Sequence, residues 1–227
     1  MRDISKFLLL AFFCLCCNHL QTSAQRFTDR EKRIIERSDS VMYVTTIFDA
    51  SDWFRLIAPS EEIPLEEVNG KELKRLISLM RSTVTSEEQD GVGIAAPQVG
   101  INRRLVVLQR VDKPDKPFEA YVNLRIDRLA GNKVEEKEGC LSVPGFSGLV
   151  ERSDTIEVSY LDTETMQRVG ERVSGFAAVI FQHEADHLDG TLYTMRAKRI
   201  WRNEAWQKEI DRHRRQGAYR KPSWWED

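Results

Sequence analysis

Gln182-His183-Glu184-Ala185-Asp186-His187-Leu188-Asp189-Gly190 is the stretch on which the reading of this chain turns. A helix makes one turn in about 3.6 residues, so two histidines four apart stack on one face and can reach a single metal ion. Glu184 stands beside the first of them, its carboxylate within reach of a water held at that metal. A metal, an activated water and a proton carrier in one helical turn are the equipment of hydrolysis. Phe176, Val179 and Ile180 share the histidine face, while Phe181, Ala185 and Leu188 line another. A helix apolar nearly all round is buried and central. It is expected to start near Ser174 and to stop at Gly190.

The flanking segments supply the rest of a mixed fold. Residues 155–160 alternate apolar and polar, and residues 168–173 pair with them as a hairpin. Residues 104–109 read as a buried strand and residues 121–126 as another. Leu73, Leu76, Ile77, Met80 and Val84 form one apolar stripe on a helix that packs against a core. Thr28-Asp29-Arg30-Glu31 is a capping box opening a short helix. Residues 41–65 carry apolar weight but are broken by Pro59 and Pro64, and read as irregular. Asp90-Gly91-Val92-Gly93-Ile94-Ala95-Ala96-Pro97-Gln98 lacks the third glycine and the following helix of a nucleotide-binding turn. Its small residues let a backbone come close to a ligand or a strand, with Gln98 at the edge of that approach. Alone, Gln98 reads as a solvated loop residue.

At 227 residues the chain can bury a core without disulfides, and a net charge of −2 with both signs interspersed gives no sign of a nucleic-acid partner. Arg2 and Lys6 flank the apolar run from Phe7 to Cys17, and Thr22-Ser23-Ala24 follows. A positive start, a short apolar core and a small-residue exit predict a secretory signal peptide over residues 1–24, cleaved after Ala24. The run is too short for a permanent span of about 20 apolar residues. A lipoprotein signal ending at Cys16 or Cys17 is the second reading; a misplaced start or a buried apolar segment is the third. Losing Arg2, Lys6 and Asp3 with the signal moves the net charge from −2 to about −3. An exported destination, periplasmic or extracellular, follows from this reading.

Cys14, Cys16 and Cys17 lie inside the proposed signal, so residues 25–227 keep only Cys140, in Glu138-Gly139-Cys140-Leu141-Ser142. A lone cysteine in an exported chain is a free thiol, an intermolecular partner or a metal ligand. Together with His183 and His187 it makes a three-ligand set with a position open for water; structural zinc sites are closed by four protein ligands. After Met195 the chain is basic and rich in tryptophan. This tail reads as a charged surface helix whose tryptophans pack on the body, with contact to anionic lipid as the sharper alternative.

The three segments around Gly91–Gln98, Glu138–Ser142 and Gln182–Leu188, in this order and spacing, resemble the signature motifs of peptide deformylases. The likeness spans roughly residues 53–195. It implies an α+β fold with antiparallel strands around a central metal-binding helix, in a single catalytic domain over residues 25–227. It implies removal of the formyl group from N-formylmethionyl peptides by an enzyme expected to act as a monomer. Cys140, His183 and His187 would hold one divalent metal, Fe(II) most often in the family, or Zn(II). Glu184 would serve as general base and then acid. The Gln98 amide and the Leu141 N–H would meet the oxyanion. Val92, Leu141, Val179, Ile180 and the His183 ring would line the methionine pocket, and backbone at Gly93 and Gly139 would pair with the peptide. Asp186 would orient a ligand histidine or anchor the helix, and Glu138 and Arg152 would form a buried ion pair. Two features depart from the family pattern: Asn123 is followed by Leu124 instead of proline, and deformylation normally belongs beside the ribosome. A zinc peptidase and a non-catalytic formyl-peptide binder are the competing functions.

Overall fold

The computed structural model describes residues 26–215 and 220–225, so the proposed signal segment lies outside the described residues. At the start of the described chain Thr28 and Glu31 close a reciprocal cap. The Glu31 N–H donates to the Thr28 hydroxyl at 3.2 Å, and the Thr28 N–H donates to the Glu31 carboxylate at 2.8 Å. This opens α1 (Asp29–Arg37). Residues 41–65 are less irregular than their prolines suggest. Asp49 accepts hydrogen bonds from the N–H groups of Ser51 and Asp52 and so starts α2 (Ala50–Leu56), and Pro64 precedes the single turn α3 (Leu65–Val68). Such short helices have no amphipathic period to read; a cap and tertiary contacts hold them. In α4 (Lys71–Val84) the residues Leu73, Leu76, Met80 and Val84 are fully buried.

The strands are β1 (Gly93–Ala95), β2 (Leu105–Gln109), β3 (Phe118–Gly139), β4 (Phe146–Leu161) and β5 (Arg168–Ser174). They form one antiparallel sheet in the order β1-β2-β3-β4-β5, and β6 (Arg199–Arg202) pairs with the start of β4. A 3-10 turn, Ala96–Val99, follows β1 where no helix was expected. β3 runs far beyond the 121–126 segment, because after Leu124 it is exposed and charged while its pairing with β4 continues. Period-two apolar patterning cannot report a strand with neither face buried. At the register shift between Val122 and Arg125, Asn123 takes φ +53°. Its amide clasps the Ile63 backbone at 2.8 and 2.9 Å, so the residue before Leu124 is held by its own side chain.

Helix α5 (Phe176–Leu188) begins after Gly175 and packs on this sheet, with Ala177, Ala178, Ile180, Phe181, Ala185 and Leu188 clustered with residues from β1 to β5. A second apolar cluster joins α1 and α4 to β1 and β2. The tail completes that cluster. After β6 the chain forms α6 (Glu204–Arg215), and then Trp225 returns to the body, 1 % exposed. Its ring stands edge-on to Tyr43 at 5.0 Å, beneath the Arg30 guanidinium at 5.7 Å, and over Gly100, whose φ of +74° and missing side chain both accommodate it. Trp225→Ala is expected to cost about 3–5 kcal/mol, seen as a lower midpoint in urea unfolding. A change under about 1 kcal/mol would mean the tail is dispensable to the core. Among the described residues no helix is long and apolar enough to cross a membrane.

Candidate active site

The turn after β3 delivers Cys140 to the buried C-terminal half of α5, where His183 and His187 project one helical turn apart. One ligand atom from each of the three lies within 4.8 Å of the others. Cys140 Sγ is 3.2 Å from His187 Nε2. His183 Nδ1 is held 2.8 Å from the Glu138 carboxylate, which leaves Nε2 for the cluster. Glu138 is in turn gripped by Arg152 through Nε and Nη2 at 2.7 and 2.9 Å. Burial by itself would raise the Glu138 carboxyl, but hydrogen bonds from Arg152 and His183 hold it down to about 2. Of the two roles expected for Asp186, it has the anchoring one. It accepts from Arg152 Nη1 at 2.6 Å and from Arg196 Nε and Nη2 at 2.7 Å, and pins α5 to the sheet. Glu138 does the orienting.

Gln98 is buried, not solvated. Its Oε1 accepts from the Ala95 N–H at 2.9 Å, and Nε2 donates to Ser142 Oγ at 3.2 Å, 3.5 Å from Cys140 Sγ. The carbonyl side is thereby locked to β1, and the donor side is turned toward the cysteine. The Leu141 N–H has no acceptor among the described residues. Glu184 is 3 % exposed, and its Oε2 has no partner among the described residues. Burial pushes this carboxyl up to about 7.

Gln98, Glu138, Cys140, Leu141, His183 and Glu184 face a cavity of about 440 Å³. Val92, Gly93, Gln98, Gly139, Leu141, Val179, Ile180 and Glu184 all line it, as do Cys140 and His183, whereas His187 belongs to the three-residue cluster but not to the lining. Two backbone edges flank it. β1 pairs only with β2, and beyond Val122 β3 pairs only with β4, so each keeps a second edge without a strand partner among the described residues. Gly93 has a steric reason as well: a Cβ there would collide with the Glu184 carboxylate. Gly93→Ala is expected to displace that carboxylate and lower kcat about 100-fold with little loss of stability. Unchanged kcat would show that Glu184 yields without consequence. Trp206, Glu209 and His213, all on α6, also line the cavity and were not expected. They fall at i, i+3 and i+7, one helical face, but nothing in the sequence says where that face docks.

The sequence matches the family model for polypeptide deformylase over residues 44–203. This chain belongs to the polypeptide deformylase family. A peptide deformylase of Leptospira biflexa serovar Patoc is 38 % identical over 146 residues, 61 % of this chain and 80 % of that one. One from Desulforudis audaxviator is 43 % identical over 120 residues, 53 % of this chain and 75 % of that one. Among solved structures, the actinonin-bound class I type b peptide deformylase of Acinetobacter baumannii superposes with a TM-score of 0.61. It shares 32 % identity and covers 70 % of this chain and 100 % of its own. The deformylase match embraces Gln98, Cys140 and all of α5, and ends before α6 begins. The chain is thus an enzyme of the deformylase kind, with an α+β fold built on an antiparallel sheet.

The deformylase cluster suits a divalent cation on its own electrostatics. Burial would lower the His183 imidazole, yet hydrogen bonds to Cys140 and Glu138 raise it well above its ordinary range. The pocket seeks positive charge. His187 is pushed well below its ordinary range, first by burial and then by His183 beside it. One thiol and two imidazoles are a donor set for Zn(II) or Fe(II).

Proposed function

We propose that this protein is an exported, metal-dependent deformylase that hydrolyses the N-formyl group of N-formylmethionyl peptides. One divalent ion, Fe(II) or Zn(II), would be held by Cys140, His183 and His187. The observation that carries the reading is the cluster of these three ligand atoms within 4.8 Å of one another, with Cys140 and His183 lining one cavity beside Glu184 and Gln98. Bound there, the ion supplies Lewis acidity to water and to the formyl oxygen.

The chain's own residues divide the remaining work. Glu184 Oε2 accepts the proton of the attacking water and returns it to the leaving amine. A carboxyl near 7 suits both directions of that transfer. Gln98 Nε2 and the Leu141 N–H donate to the oxyanion, and the Gln98 amide is held for it by the Ala95 N–H on its Oε1. Leu141, Val179, Ile180, Val92 and the His183 ring receive the methionine side chain. Gly93 and Gly139 offer their free backbone edges to the peptide as an added strand. A Met-Ala-Ser complex of the Acinetobacter baumannii enzyme, 36 % identical to this chain with a TM-score of 0.58, supports a peptide in that cleft. Zn(II) is the more durable ion in oxidising surroundings, where Fe(II) and a thiolate are both at risk.

Export rests on the sequence of residues 1–24, with its flanking charges, apolar core and Thr22-Ser23-Ala24 exit. Outside the cytoplasm the substrates would be free formyl peptides and released leader fragments, a scavenging role apart from protein maturation. Fractionation should find the protein outside the cytoplasm with Gln25 at its amino terminus; an intact chain in the cytosol would sink this part. The test of the chemistry is formate release from formyl-Met-Ala-Ser by the chain starting at Gln25, with bound metal measured on the same sample. Formate should appear, stop on chelation and return on adding Zn(II) or Fe(II). A folded, metal-loaded sample that releases none would overturn the assignment.

A further inference from the structure

We infer that Trp206 on α6 is a specificity-determining residue that forms a subsite for the side chain following the formyl-methionine. This rests on the peptide lying beside Gly139 as proposed above, and it concerns a part of the chain beyond the family match.

Side chains alternate across a strand. At the end of β3 this alternation is visible in the contacts. Glu138 and Cys140 both turn toward α5, the first to His183 and the second to His187. Gly139 between them faces the opposite way, and there stands the indole of Trp206. A Cβ on Gly139 would lie 3.2 Å from Trp206 Cζ3 and 3.7 Å from Cη2. Residues paired across neighbouring strands share a face. A peptide strand on the open edge of β3 therefore alternates in step. The methionine side chain enters the pocket on the α5 side, and the next residue, level with Gly139, is turned toward the Trp206 ring. A flat, half-buried aromatic ring favours an extended aliphatic or aromatic side chain and gains nothing from glycine.

The helix that carries the indole is docked in place. The Asn203 N–H donates to the Gly145 carbonyl at 2.8 Å, and its amide donates to Ser147 Oγ at 3.1 Å. Its Oδ1 accepts the Trp206 N–H at 3.2 Å, which caps α6 directly on the turn between β3 and β4. Gln207 fills the space above Gly145, and Ile210 is buried beneath the helix. α6 is thus a docked wall of the cleft, whose contacts tie it to the strand partner of Gly139, Ser147.

The test compares formyl-Met-Leu-Ser, formyl-Met-Phe-Ser and formyl-Met-Gly-Ser on the chain from Gln25 and on its Trp206→Ala and Trp206→Phe variants. The parent should favour leucine and phenylalanine over glycine about tenfold in kcat/KM, mostly through KM. Trp206→Ala should collapse that ratio toward one, and Trp206→Phe should restore most of it. Calorimetry with the products Met-Leu-Ser and Met-Gly-Ser reads the same preference as a ratio of Kd values, without turnover. A chain that releases no formate but still binds Met-Leu-Ser more tightly through Trp206 would therefore overturn the function and keep the subsite. A parent indifferent to the second residue in both measurements would overturn the subsite. So would a preference that survives in a folded Trp206→Ala protein.

Discussion

Replacing Glu184 by glutamine is expected to lower kcat about 10²–10⁴-fold with little change in peptide binding. The side chain keeps its shape and its place against Gly93, but an amide cannot take a proton from water. Glu184 Oε2 is the only fully buried carboxylate oxygen left without a hydrogen-bond partner among the described residues. Glu138, the other buried carboxylate at the site, is committed to Arg152 and His183. The loss should appear in kcat, while KM for formyl-Met-Ala-Ser and the bound metal stay close to the parent's. If glutamine keeps more than about a tenth of the activity, proton transfer runs through another group and Glu184 has only a structural place.

The second large effect is expected at Arg152. This guanidinium is buried and binds Glu138 with two nitrogens and Asp186 with a third, at 2.6 to 2.9 Å. It joins the carboxylate that orients a histidine to the one that anchors α5. Arg152→Met fills similar volume but leaves the buried Glu138 with His183 alone and Asp186 with Arg196 alone, at a cost of about 3–5 kcal/mol in urea unfolding. Glu138 would no longer be fixed beneath His183, and affinity for the metal should fall about 10- to 100-fold. A further sign distinguishes this from plain cavity formation. In the parent without metal, Glu138 is held at about 2, below the ordinary carboxylate 4.5, so its stabilising contribution is complete above the unfolded value. That contribution is lost as pH falls through this interval toward the folded value. The variant, with a higher Glu138 pKa, should lose less stability over the same acid range. An identical pH slope in both proteins would remove Glu138 from the account.

How much of this was legible in advance can be judged residue by residue. The spacing of His183 and His187, the single cysteine left at Cys140 and the apolar surround of α5 all follow from local rules. A helix places residues four apart on one face whatever surrounds it, and an all-round apolar helix has only the interior to occupy. The capping box at Thr28 and Glu31 and the stripe of α4 are local in the same way. The outer part of β3 was not legible, because an exposed strand has no apolar alternation. Gln98 read as a solvated loop residue on its own; what buries it is the meeting of β1 with the turn after Cys140, 42 positions away in sequence.

The sequence by itself determined the family and singled out Cys140, His183, His187 and Glu184 as candidates, because these are carried by residue type and short-range periodicity. Only the tertiary structure decided that Asp186 anchors and Glu138 orients. Asp186 stands beside His187 and Glu138 two positions before Cys140, and their different partners, Arg196 for one and His183 for the other, come from chain crossings that no local pattern encodes. The same holds for the tail. Trp206 at the cleft and Trp225 in the core are indistinguishable as tryptophans in a basic stretch, and only the docking of α6 on the turn beyond Gly139 separates a substrate wall from a core plug.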